Sequence, residues 1–180
     1  MKKPLIKVGG QTLFVVPQEG FRDEELFQSR DLLAKHGITT HVVCNKSGEA
    51  HGVLGASVPI DVVLGQVKIP DYRAVIFIGG PGAVEYFSDE KAIELARQFR
   101  NPGRMVGAFS TAASILANAG LLISRKVTGF PTQERHLVSR GAEYTGMPVE
   151  VDSPIITARG PDAIREFVNR FLWELSSRHR

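Results

Sequence analysis

The chain has 180 residues, 43% of them hydrophobic and 23% charged, with a formal net charge of +3. That composition argues against disorder, and the length suits one domain over residues 1–180 built on a single large core. No apolar run approaches the ~20 residues that span a bilayer, and the one cysteine, Cys44, excludes an intramolecular disulfide and a cysteine-based zinc cluster.

The start, MKKPLIKVGG, has no continuous apolar core, so no secretory signal is expected and the cytoplasm is the expected location. TLFVVP (12–17) reads as a buried strand, and DEELFQSRDLLAKHG (23–37) as a helix with acids in its first turn and a glycine stop. ITTHVVCN (38–45) is a strand rich in β-branched residues. Glycines and prolines break residues 51–72 into short strands and a turn. RAVIFIGG (73–80) is a strongly apolar strand ending in two glycines, and SDEKAIELARQFR (88–100) an amphipathic helix that Ser88 is placed to cap. RMVGAF (104–109) is a further strand, with a helix following directly over 111–119. Residues 127–131 read as a short strand, 132–141 as a helix, and 148–158 as a hairpin. The closing helix spans 160–175, with Pro161 in its first turn.

Continuous apolar strands alternating with helices predict an α/β fold: a mostly parallel central sheet covered by helices on both faces. Segments 73–78 and 104–109 are expected as adjacent, buried, parallel strands. Ligands in such folds bind at the carboxyl ends of strands. Three of those ends are chemically marked, by QEGFRDEE, by GGPG at 79–82 and by STAA after Phe109, and these loops are expected to converge.

Basic residues are either interleaved with acids, as in KAIELARQFR, or gathered at the ends as Lys2, Lys3, Lys7, Arg178 and Arg180. The last two lie beyond the closing helix, where positive charge favours the dipole. No stripe of the kind nucleic acid requires is present, so neither a nucleic-acid nor a membrane partner is expected. The histidines at 36, 41, 51, 136 and 179 fall in no metal-ligand spacing and read as surface or turn residues, and no metal or cofactor is expected. Cys44, in THVVC, reads as a small buried hydrophobe.

Gly79 and Gly80 let backbone N–H groups approach a ligand closely and so could form half of an oxyanion hole; a tight turn is the simpler reading of the spacing. Ser110 sits at a strand-to-helix junction. Serine is a favoured N-cap, and a hydroxyl acting as nucleophile needs a general base that Thr111, Ala112 and Ala113 do not supply. Glu25, one of three acids in RDEEL, is either a solvated first-turn charge or a carboxyl aimed at the same crevice.

Taken together, AFSTAASILANAGLLISRKVT, IGGPG, GFRDEE and IITARGPDAIREF resemble, in family order and over Thr12 to Leu175, the ThiJ/PfpI superfamily, often called the DJ-one family. LANAGLL matches the segment after the family's nucleophile elbow. The resemblance implies a flavodoxin-like three-layer α/β/α sandwich. It also carries the family's elbow cysteine onto Ser110 and its glutamate onto Glu25. It implies a positive φ at Ser110, a homodimer or higher homo-oligomer through the first helix, and protease-like, glyoxalase-like or stress-related roles. The histidines that active members supply fall here on Thr111 and Phe130. The chain is therefore expected to bind a small-molecule ligand in a crevice lined by Glu25, Gly79, Gly80, Ser110 and Thr111, with weak or absent thiol-type chemistry. The alternatives are a hydrolase in which Ser110 attacks with Glu25 or His136 as base, and a non-catalytic regulatory or structural module.

Overall fold

Short apolar segments that recur between amphipathic ones assemble into one large sheet. In the computed structural model, which describes residues 11–178, the strands are β1 (Gln11–Val15), β2 (Glu19–Phe21), β3 (Thr39–Cys44), β4 (Glu49–Gly52), β5 (Ser57–Pro59), β6 (Val62–Val63), β7 (Tyr72–Phe77), β8 (Met105–Phe109), β9 (Lys126–Val127), β10 (Glu143–Tyr144), β11 (Val149–Asp152) and β12 (Ile155–Ala158). The helices are α1 (Asp23–Ala34), α2 (Glu90–Gln98), α3 (Ala113–Asn118), α4 (Glu134–Ser139) and α5 (Ile164–Ser177). Seven strands form the main sheet in the order β11-β12-β8-β7-β1-β3-β6. Every pairing in it is parallel except β11 with β12, the hairpin expected at 148–158. β7 and β8 pair as expected, with Ala74 opposite Met105 and Phe77 opposite Ala108.

The strands read as unbroken apolar runs because both faces of the sheet are covered. On one face Leu13, Val15, Val75, Phe77 and Val106 pack with Leu95 of α2 and Leu116 of α3. On the other, Phe14, Ile76, Phe109 and Ile156 pack with Leu26 and Leu33 of α1 and Phe167 and Phe171 of α5. Each large side chain so buried contributes roughly 1.5–3 kcal/mol. Phe27 and Leu32 of α1 are half-buried at the edge of that second cluster.

Several boundaries differ from the sequence reading. α2 is capped by Asp89, which accepts the Ala92 N–H at 2.9 Å; Ser88 stands one residue too early to reach that donor. α1 ends at Ala34, and the chain leaves it through Gly37 at φ 75. The helices expected at 111, 132 and 160 each open with one 3-10 turn, at Ser110–Ala112, Pro131–Gln133 and Pro161–Ala163. Proline at the second and third starts leaves no N–H to satisfy there. Arg178 stands at the C-cap of α5; Lys2, Lys3, Lys7, His179 and Arg180 lie outside the described residues. Among the described residues no helix is long and apolar enough to cross a membrane.

Candidate functional site at the β8–α3 elbow

β8 ends at Phe109 in extended conformation, and the chain reverses at Ser110 with φ 44 before the short 3-10 turn that leads into α3. Of the described residues other than glycine, Ser110 and Ser124 adopt positive φ. For an L-residue that conformation costs of order 1–3 kcal/mol and persists where surrounding structure enforces it. Ser110 is 4% exposed, and its Oγ lies 1.9 Å from where a Cβ on Gly79 would stand. Only glycine fits at 79 for that reason. The same imagined Cβ would be 2.8 Å from the Phe109 carbonyl oxygen and 3.0 Å from Oε2 of Glu25, so the ends of β7 and β8 and the first turn of α1 meet at one point.

Glu25 is fully buried. Its Oε2 accepts the Gly79 N–H at 2.8 Å, while Oε1 has no hydrogen bond of ordinary geometry. Burial pushes its pKa from 4.5 up to about 7; the adjoining Ser110 hydroxyl, the Gly79 N–H and the Arg22 charge pull in the opposite direction without overcoming it. The three acids of RDEEL therefore have three different roles. Asp23 accepts the Leu54 and Ala56 N–H groups at 2.8 and 3.1 Å and fixes the β4–β5 turn. Glu24 pairs with Arg22 at 3.0 Å. Glu25 alone faces the elbow.

Gly80 has φ 114, and a Cβ there would stand 2.4 Å from the Gly20 carbonyl oxygen and 2.7 Å from the Arg22 nitrogen. Its N–H donates to Oγ1 of Thr111 at 3.1 Å, and that hydroxyl donates back to the Gly80 carbonyl at 2.9 Å. Both glycine N–H groups considered for an oxyanion hole thus end on protein acceptors, Gly79 on Glu25 and Gly80 on Thr111.

The histidines among the described residues lie elsewhere. Asn118 uses its Nδ2 on the Phe87 carbonyl at 2.6 Å, which leaves its Oδ1 as acceptor and assigns the proton of His136 to Nε2, 2.9 Å away. The His136 ring stacks on Phe87, burial lowers its pKa, and its bonded Nε2 faces α3 at Asn118 rather than Ser110. His36 bonds the Leu32 carbonyl, His41 the Tyr72 hydroxyl and His51 the Glu19 carboxylate. The segment after β9 does return to the elbow, where Gly129 packs on the Ser110 carbonyl, but it brings the half-exposed ring of Phe130 in place of an imidazole. Cys44 is buried as expected, donating to Oε1 of Gln18 at 3.1 Å. Sequence reasoning missed its neighbour Tyr86, whose hydroxyl donates to the Val16 carbonyl at 2.8 Å and whose pKa is raised by burial.

Comparison with known proteins agrees with this fold. The sequence profile of the DJ-1/PfpI family matches residues 11–174. A protein of Methanocaldococcus jannaschii, MJ0967, is 36% identical over 160 residues, covering 87% of this chain and 78% of its own. Deglycase PH1704 of Pyrococcus horikoshii is 26% identical over 162 residues, covering 90% and 97% respectively. The crystal structure of a ThiJ/PfpI domain protein from Brachyspira murdochii superposes with a TM-score of 0.91 at 30% identity, covering 94% of this chain and 99% of that one.

Proposed function

This chain belongs to the DJ-1/PfpI family, and we propose that it uses the strand-end elbow to bind a small carbonyl compound or anion, without a thiol nucleophile. The observation that carries the reading is the state of Ser110. Its backbone keeps the left-handed turn at φ 44, its Oγ is wedged against Gly79 beside Glu25, and no imidazole among the described residues is bonded to it. A site held at such conformational cost retains a role. General-base assistance contributes ~10²–10⁴-fold to proton removal, and a serine hydroxyl without it is not ionised near neutral pH. The deglycase name of the Pyrococcus horikoshii relative makes small carbonyl compounds the first ligands to examine. With this reading goes a cytoplasmic homodimer or higher homo-oligomer through α1, where Phe27 and Leu32 sit at the edge of the core. Sedimentation as a monomer at micromolar concentration would count against that assembly.

The test uses the purified protein. Pyruvate is expected to raise the melting temperature of the unmodified chain more than that of a Ser110→Ala variant, and turnover of methylglyoxal, p-nitrophenyl acetate and peptides is expected to be negligible. Ser110→Cys is expected to yield a thiol whose alkylation midpoint lies below the ~8.5 of a free cysteine, because the N-terminal turn leading into α3 and a protonated Glu25 carboxyl beside it both favour a thiolate over a thiol. A robust esterase rate abolished by Ser110→Ala would overturn the reading.

One observation favours a second reading, a serine hydrolase with Glu25 as base. A carboxyl with a pKa of about 7 is ionised in about half of the molecules at neutral pH and stands where a base for Ser110 belongs. Labelling by a fluorophosphonate probe, lost in Glu25→Gln, would select that reading over the first.

A further inference from the structure

Thr111 follows the elbow serine, and its hydroxyl is bonded twice to a single residue. It accepts the Gly80 N–H at 3.1 Å and donates to the Gly80 carbonyl at 2.9 Å. The two glycine donors nearest the elbow are not equivalent in this respect. The Gly79 N–H ends on a carboxyl that is fully buried and held by its own helix. The Gly80 N–H ends on a half-buried side chain that rotation about one bond removes. A threonine has a small set of staggered χ1 positions, so its hydroxyl is either on Gly80 or off it.

The Gly80 peptide itself is not free to turn away. Its N–H shares a rigid peptide plane with the Gly79 carbonyl, which accepts the Arg22 N–H at 2.8 Å, and a Cβ added at Gly80 would stand 2.4 Å from the Gly20 carbonyl oxygen and 2.7 Å from the Arg22 nitrogen. A donor released from Thr111 therefore keeps its direction.

We propose that Thr111 is a latch on the ligand site: its hydroxyl occupies the Gly80 N–H until a ligand oxygen displaces it. This rests on the ligand-site reading given above and adds to it the residue that sets how well the site receives an oxygen atom. Thr111 acts through Gly80 and is a positioning residue. The ligand class it selects has an oxygen able to compete with a hydroxyl for one N–H, which a carboxylate or a polarised carbonyl does better than an alcohol.

The experiment uses Ser110→Cys as a reporter, alone and combined with Thr111→Val or Thr111→Ser, and two reagents. With p-nitrophenyl acetate the thiolate sulfur attacks the acetyl carbon and the carbonyl oxygen takes the negative charge. The bond to p-nitrophenolate then breaks, leaving a thioester. With iodoacetamide the sulfur displaces iodide at a saturated carbon and no oxyanion forms. The ratio of the two rate constants therefore isolates the oxygen-binding donor from thiolate reactivity. Thr111→Val is expected to raise that ratio at least tenfold, less than the ~10²–10³-fold that a fully preorganised donor contributes. Thr111→Ser, which keeps the hydroxyl, is expected to return the ratio toward the value with threonine. In the chain with Ser110 intact, the Gly80 amide is expected to exchange with deuterium faster in Thr111→Val than with threonine present.

A ratio unchanged or lowered by valine, a rise shared equally by serine, or Gly80 exchange that valine does not accelerate would each overturn the latch. Absence of acylation in both the threonine and valine proteins, with normal alkylation, would do the same. A thiol that titrates as a free cysteine counts against the ligand-site reading instead, and the ratio and the Gly80 exchange still report on Thr111. If Thr111→Val does not fold, Thr111→Ala is read in the same way.

Discussion

The Oγ of Ser110 lies 1.9 Å from the position that a Cβ on Gly79 would take, so each residue restricts what the other can be. Gly79→Ala is expected to destabilise the protein by about 1–3 kcal/mol, the usual range for an overpacked core. Adding Ser110→Ala removes the Oγ but leaves the Phe109 carbonyl oxygen 2.8 Å from the new methyl, so only part of the loss should return. Urea unfolding of the two single variants and the double variant measures this. Strictly additive losses would show that the two positions do not meet.

The backbone at Ser110 gives a second expectation. At φ 44 an L-residue is strained and glycine is not. Ser110→Gly should therefore be more stable than Ser110→Ala by about 1 kcal/mol, although glycine gains more freedom on unfolding. Equal stabilities of the two variants in thermal or urea unfolding would mean that the turn relaxes once Oγ is gone.

Much of this architecture is written in the sequence because parallel strands buried on both faces must be largely apolar, as LFVV (13–16) and MVGAF (105–109) are. The elbow was legible for a related reason: a strand meets a helix there with no room for a loop. The division of labour among Asp23, Glu24 and Glu25 was not legible. Three consecutive acids look alike in composition, and only the tertiary fold aims one at a hairpin, one at an arginine and one at Gly79. The buried face of α1 consequently includes Asp23, Glu25 and Ser29 beside Leu26 and Leu33, which blurs its apolar periodicity. Thr111 was recognisable as a neighbour of the site, but its bond to Gly80 spans 31 positions and follows from β7 lying beside β8.

Asp23 gives a third expectation, concerning the support of the site rather than the site. Its carboxylate accepts two N–H groups of the β4–β5 turn, from Leu54 and Ala56. Asp23→Ala leaves both donors without that acceptor and should cost about 2–4 kcal/mol, less than two full bonds to a charged acceptor at about 1.5–3 kcal/mol each, because water reaches the freed N–H groups of this exposed turn. Amide exchange should rise at Leu54 and Ala56 before it rises in β7 or β8. Uniform acceleration across the sheet would assign Asp23 a role in global stability instead.

Glu25 determines how the protein responds to pH. In the unfolded chain its carboxyl titrates near 4.5, and in the folded protein at about 7. Between those values the folded state holds more of the proton than the unfolded state does, so stability from this group falls as pH rises. Below 4.5 both states are protonated and the group costs nothing; above 7 both are ionised and the full cost of about 3 kcal/mol is present. Glu25→Gln keeps an oxygen for the Gly79 N–H and carries no charge to bury. It is therefore expected to match the unmodified protein at acid pH and to exceed its stability increasingly between pH 4.5 and 7, reaching about 3 kcal/mol by pH 8. Urea midpoints at pH 4.5, 6 and 8 decide the matter. A difference that is constant with pH, or that grows toward acid as it would for a carboxylate stabilised in its ionised form, would refute the assignment. The sign also bears on the elbow: burial that makes ionisation costly keeps a proton on this carboxyl in about half of the molecules at neutral pH, so those molecules offer Ser110 a donor and not a base.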